Sequence, residues 1–137
     1  MRVFFDTSAF VKRYIAESGT DTVLDWCQRA TEIGLSAIAV PELISAFCRL
    51  QRENKITSEQ YRQLKTALLS DVEDIAIGDL TPMVLLHTMN SLEHNVLRAM
   101  DAIHIGSAIA LECDVFVSAD QRQLVAAELA GLNVVTV

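Results

Sequence analysis

Residues 97–120 read LRAMDAIHIGSAIALECDVFVSAD. Asp101 heads the segment 101–112, which is apolar almost all round. A helix of that composition is buried, so it should be central. It runs into Val115-Phe116-Val117-Ser118, a short apolar strand, with Asp120 just past its end. The same alternation continues outward. Downstream, residues 121–130 suit a helix closed by Gly131, and Asn133 to Val137 a last strand. Upstream, Val3-Phe4-Phe5 forms a first strand that meets Asp6. Thr7 or Ser8 then opens a helix that runs to about Glu17 and is broken at Gly19. Residues 20–30 form a second helix ended by Gly34, and Leu35 to Ala39 a second strand. Pro41 stands at the first position of a helix over 41–54, whose apolar stripe falls at 43, 44, 47 and 50. Thr57 and Gln60 have capping-box spacing for a helix to about Ser70. Asp74 to Ile77 reads as a third strand, and Thr81-Pro82 opens a helix to about Glu93.

Short apolar strands alternating with amphipathic helices predict an α/β fold. About five strands form a parallel sheet with helices on both faces. No linker, repeat or composition break divides the chain, so residues 1–137 are expected to be one domain. In such sheets ligands bind beyond the carboxyl ends of the strands. The residues just after each strand are therefore the ones to inspect.

Four carboxylates fall there, each at a helix beginning. Asp6 follows the first strand and Asp120 the fourth. Glu42 lies in the first turn after the second strand, and Asp101 opens the buried helix. Any one of them alone reads as a cap or as a partner of the helix dipole. For Glu42 and Asp101 that reading weakens, because their neighbours are mostly apolar. Unpaired buried carboxylates are costly, and the only lysines are Lys12, Lys55 and Lys65. A divalent metal such as Mg²⁺ or Mn²⁺, which takes oxygen ligands, resolves the conflict. Thr7, Ser8 and Ser118 stand beside Asp6 and Asp120, where their hydroxyls can orient carboxylates or water.

Composition narrows the partners. The chain has 18 acidic and 11 basic residues, a net charge of −7. A broad basic coat for nucleic acid is excluded, because that mode needs clustered Lys and Arg. Setting aside four of the 18 acids leaves 14 against 11 basic residues, so most of the excess would sit in one pocket. No signal peptide or apolar run of membrane length is visible. Cys27, Cys48 and Cys113 are an odd number, far apart, and fit reduced thiols in a cytoplasmic protein.

At these residues the sequence resembles a PIN-domain ribonuclease, and more closely the VapC toxins of bacterial toxin–antitoxin pairs. The stretch FFDTSAFVKRYIAESG (4–19) matches that family's strand, Asp, hydroxyl residue and helix. Residues 97–120 match its Asp-Ala-x-His helix, strand and Ser/Thr-x-Asp. The tail QRQLVAAELAGLNVV (121–135) matches its last helix, Gly-Leu and final strand. The resemblance implies a metal site of Asp6, Glu42, Asp101 and Asp120. It implies an Mg²⁺-dependent endoribonuclease that cleaves RNA phosphodiesters with a metal-activated water, leaving a 5′-phosphate and a 3′-hydroxyl. A VapB-like antitoxin and a toxin homodimer follow from the same resemblance. Ser118 stands where many members have Thr.

His104, three residues after Asp101, is expected to pack and hydrogen-bond rather than bind metal. Arg98, Arg122, Lys12 and Arg13 are candidate RNA-phosphate contacts, with surface ion pairs as the competing reading. Phe10, Tyr14, Val23, Leu24 and Trp26 are partly core and partly a candidate groove for a partner helix. A non-catalytic PIN-like RNA-binding or processing module remains the alternative, although it should have lost one of the four acids. A phosphorelay receiver needs an acidic pair after the first strand and a late Lys. Here Thr7-Ser8 follow Asp6, and no Lys lies beyond Lys65.

Overall fold

The computed structural model describes residues 1–137. Five strands alternate with seven helices: β1 (Arg2–Phe5), α1 (Thr7–Phe10), α2 (Thr20–Arg29), β2 (Glu32–Ser36), α3 (Ala39–Arg52), α4 (Ser58–Val72), β3 (Ala76–Gly78), α5 (Pro82–His94), α6 (Ala99–Ala110), β4 (Val115–Ser118), α7 (Gln121–Leu129) and β5 (Asn133–Thr136). The strands form one sheet in the order β3-β2-β1-β4-β5, and every pairing is parallel. All carboxyl ends therefore open at one edge, and the order reverses around β1.

Alternation along β1 and β4 sorts two cores onto the two faces. Val3, Phe5, Val115 and Val117 join Phe10, Val23, Leu35, Leu43, Phe47 and Leu68 beneath α1 to α4. Phe4 and Phe116 point the other way, stacked at 5.7 Å, and meet Ile105 and Ala108 of α6 and Ala126 and Ala127 of α7. The helix predicted to be central is so: Ala102, His104, Ile105, Gly106, Ser107 and Ala108 are all buried. α5 covers it from outside. A Cβ at Gly106 would come within 2.4 Å of Thr88 Oγ1 and 2.7 Å of the Val84 carbonyl oxygen, so only glycine permits that approach.

Four boundaries differ from expectation. The helix after Asp6 is one α-turn and a 3₁₀ turn (Val11–Arg13), and does not reach Glu17. It stops because the Thr20 hydroxyl donates to the Lys12 carbonyl while Lys12 Nζ donates to the Ser18 carbonyl, folding the chain back. β2 begins at Glu32, and Gly34 lies inside it instead of ending a helix. A Cβ at Gly34 would stand 3.2 Å from the Phe4 ring, so the residue makes room for that ring. α3 starts two residues before Pro41, still within the turn whose N–H groups have no helical partner. α6 starts at Ala99, with Arg98 as its cap residue, so Asp101 lies inside the first turn. Thr57 and Gln60 do form the predicted capping box.

Candidate functional site

The strand ends bring the four acids to one edge of the sheet, three of them in two hydrogen-bonded groups. The first is built on β1 and β4. Asp6 is the N-cap of α1, and its carboxylate accepts the Ala9 N–H at 2.9 Å. The same carboxylate accepts the hydroxyls of Ser8 (2.8 and 2.9 Å) and Ser118 (2.6 Å). Ser118 Oγ in turn accepts the Asp120 N–H at 2.9 Å. Asp120 caps α7 by accepting the Arg122 N–H at 2.9 Å. For Asp6 and Asp120, capping and a place at the strand ends thus coincide in the same side chains. Asp6 is fully buried, and that burial holds its carboxyl above the ordinary carboxylate value despite its donors.

The second group lies across the β1–β2 edge. Glu42 Oε1 accepts the Thr7 hydroxyl at 2.7 Å and stands 2.7 Å from His104 Nε2. Partial burial pushes the Glu42 carboxyl up, but the His104 and Thr7 hydrogen bonds outweigh it and leave it below its ordinary value. His104 is 1% exposed, and its Nδ1 is buried without a partner. Nε2 is thus the ring atom that meets Glu42, while Nδ1 is enclosed by the protein. The sequence reading of His104 as a packed, hydrogen-bonded residue describes this geometry, although its partner was not foreseen.

Asp101 belongs to neither group. Its one side-chain partner is Gln123, whose Nε2 donates to Oδ1 at 3.2 Å. Burial first, then the charges of Asp120 and Glu42, raise its carboxyl above the ordinary value, while His104 and Arg98 oppose them. Asp101 thus sits in the field of two other acids at this edge.

A model of the PIN domain family matches residues 3–129. The chain belongs to the PIN domain family. Two relatives from Mycobacterium tuberculosis, named Ribonuclease VapC45 and Ribonuclease VapC49, are each 30% identical over 141 aligned residues, 96% of this chain and 93% of theirs. FitAcB from Neisseria gonorrhoeae superposes with a TM-score of 0.71 at 16% identity, covering 96% of this chain and 95% of that one. VapC20 of Mycobacterium tuberculosis, described as a Sarcin-Ricin loop cleaving toxin, does so at 0.66 and 14%, covering 95% of both chains. VapBC2 from Rickettsia felis, bound to a promoter DNA fragment, gives 0.70 at 14%, covering 100% of this chain and 99% of that one. These three structures share the fold of this PIN domain.

The donor set of this PIN domain is all oxygen and free of lysine, which fits a hard divalent cation. As the side chains stand, however, no three His, Cys, Asp or Glu residues are arranged to hold one ion. Each acid is turned onto a protein donor, and a cation would compete with those donors for the same oxygens.

The candidate RNA contacts divide. Arg98 and Arg122 are exposed beside Asp101 and Asp120 and make no ion pair. Lys12 is held by Glu17 at 3.2 Å and by the Ser18 carbonyl. Arg13 is bound to Asp71 at 3.0 and 3.3 Å, near Ile33 and Ile75, which lie toward the amino ends of β2 and β3. The ion-pair reading is what the geometry supplies for both. In the candidate partner groove Phe10 and Val23 are core, Tyr14 and Trp26 half-buried, and Leu24 alone exposed. The exposed apolar side chains instead concentrate on α5, at Met83, Leu85, Leu86 and Met89. Gln123 went unremarked in the sequence, although a polar residue on the buried stripe of α7 was the available signal.

Proposed function

We propose that this protein is a divalent-metal-dependent endoribonuclease and the toxin of a VapBC-type pair, and that the working unit is the whole chain. The last strand, beyond the matched residues, completes the sheet. One observation carries the reading: Asp120 and Glu42 both press on the Asp101 carboxyl at the carboxyl edge of a parallel sheet, with no lysine there to neutralise the three. The two 30%-identical relatives named ribonucleases support it.

In this reading Asp6, Glu42, Asp101 and Asp120 hold the cation, with Mg²⁺ favoured and Mn²⁺ a substitute. When bound, the ion supplies positive charge to a phosphate and lowers the pKa of a water. The chain's own residues do the positioning. Ser8, Ser118 and the Ala9 N–H fix the Asp6 carboxylate. Thr7 and His104 aim Glu42, and Gln123 aims Asp101. Arg98 and Arg122 are placed to receive RNA phosphates. The reading gives the protein a VapB-like antitoxin, a second copy of itself on the apolar α5 face, and a cytoplasmic setting suited to three free thiols. No helix is long and apolar enough to cross a membrane.

The test is RNA cleavage with added Mg²⁺ by wild type and Asp101→Asn. Cleavage by wild type, reduced at least about a hundredfold in the variant, is expected, as for removal of a group that stabilises transition-state charge. Equal cleavage by both would sink the site. Growth arrest on expression without antitoxin, relieved by Asp101→Asn, checks the toxin role.

A further inference from the structure

Beyond the cations next to the acids in sequence, the structure brings two more to the same edge. α3 carries Glu42, Ser45, Arg49 and Arg52 at spacings that keep them near one helix face. Together with Thr7 and Met100 they line an open groove of about 420 Å³ that begins at the acidic site. With a rise of 1.5 Å per residue, Arg49 and Arg52 lie about 10 and 15 Å along the helix from Glu42. That is a span which a few nucleotides of single strand can cover.

Both arginines are exposed and unspent. Of the 11 Lys and Arg residues, Arg2, Lys12, Arg13, Arg29, Lys55 and Arg62 are in ion pairs. Arg49, Arg52, Lys65, Arg98 and Arg122 are in none. All but Lys65 border the acidic edge or the groove that leaves it. In a chain of net charge −7, four cations without an ion pair beside its own acids suit a polyanion. A guanidinium is also the side chain suited to a bidentate grip on phosphate.

We propose that Arg49 and Arg52 form a phosphate subsite that holds the RNA strand along α3, on the Glu42 side of the acids. The inference rests on the ribonuclease reading for its substrate class. Arg49 and Arg52 are positioning residues: they touch the strand away from the reacting phosphate and set its path. Arg98 and Arg122 flank the other acids, so the strand crosses the acidic edge between two pairs of cations.

The experiment compares Arg49→Gln/Arg52→Gln with wild type and with Lys65→Gln. Binding of a fluorescein-labelled single-stranded oligoribonucleotide of mixed sequence is measured by anisotropy in an Asp101→Asn background. Cleavage kinetics are measured in the native one. The double variant is expected to weaken binding and raise KM about tenfold with kcat kept. Its log–log salt dependence of binding should be shallower by about 1.4, because each single-strand phosphate contact contributes about 0.7. Lys65→Gln should change none of these. Unchanged Kd, KM and salt slope in a wild type that does cleave RNA would overturn the subsite and leave the nuclease standing. Arginine-dependent binding by a wild type that cleaves nothing would do the reverse. No measurable binding of the oligoribonucleotide, or loss of antitoxin affinity with RNA affinity unchanged, would also overturn the subsite.

Discussion

Asp6 and Asp101 are both aspartates at the carboxyl edge of one sheet, and both hold their protons more tightly than usual, for different reasons. Asp6 has no exposure, and three protein groups donate to it. Its shift comes from burial alone, against the pull of its donors. Asp101 is half-buried with a single donor, and the charges of Asp120 and Glu42 add to its burial. The first carboxylate is part of what ties α1 and β4 to β1. The second is held in an unfavourable field by a fold that does not need it. Residues that cost stability without serving packing are the pattern expected of a working site.

Removing each side chain is the strongest way to break the comparison. Asp6→Ala strands the Ala9 N–H and frees the Ser118 hydroxyl in a buried position, so we expect a loss of about 2–3 kcal/mol. Asp101→Asn removes the repulsion from Asp120 and Glu42 together with the attraction of His104 and Arg98, and keeps an Oδ1 for Gln123, so it should leave stability within about 0.5 kcal/mol of wild type, or above it. Urea denaturation of both variants checks this. Equal losses would erase the distinction.

A smaller effect comes from the cation. Mg²⁺ at about ten times its Kd should stabilise wild type by about 1.4 kcal/mol in the absence of RNA. Asp101→Asn should lose most of that gain. Thermal melts with and without Mg²⁺ decide it, and a gain of the same size in the variant would remove Asp101 from the ligand set.

The smallest effect is in pH. A carboxyl whose folded pKa is raised contributes stability that is fully present below its unfolded value, near 3.8, and is lost as pH rises through the folded value. Asp101→Asn lacks that loss. The variant should therefore gain on wild type as pH climbs above 3.8, then level off, by less than about 1 kcal/mol because the group is screened. Melting temperatures across pH at low salt show it, and a gap that widened toward acid would contradict the sign. Asp71 runs the other way. Burial raises it, but its bonds from Arg13 and Tyr14 prevail and lower it. Its stabilisation is present above 3.8 and fades as pH falls through its lowered value.

Much of the architecture was legible in one dimension. Periodicity and strand-end position are local properties, so the alternation of elements, the buried α6 and the four acids could be read from residues 3–6, 41–54 and 97–120. What a side chain is bonded to is not local. In sequence, Lys12 and Arg13 stand level with Arg122, behind Arg98 next to Asp101. The structure sets them apart by their ion pairs, with Glu17, five residues from Lys12, and with Asp71, 58 residues from Arg13. Arg49 and Arg52 carry no signal in sequence, because they close an ordinary amphipathic helix. Only the placement of α3 beside Thr7 and Met100 turns them toward the acids. Gly34 read as a helix stop because glycine punctuates more often than it yields space to an aromatic ring.

The chain alone thus settled an α/β sheet with acids behind its strands, because burial and strand-end chemistry are written in the order of residues. Folding decided which of those acids are saturated and which are left repelling one another. Ser118 reaches Asp6 across 112 residues, and His104 reaches Glu42 across 62. Contacts at such separation are set by how the β1, β2 and β4 edges and α6 are brought together in space, which no local pattern encodes.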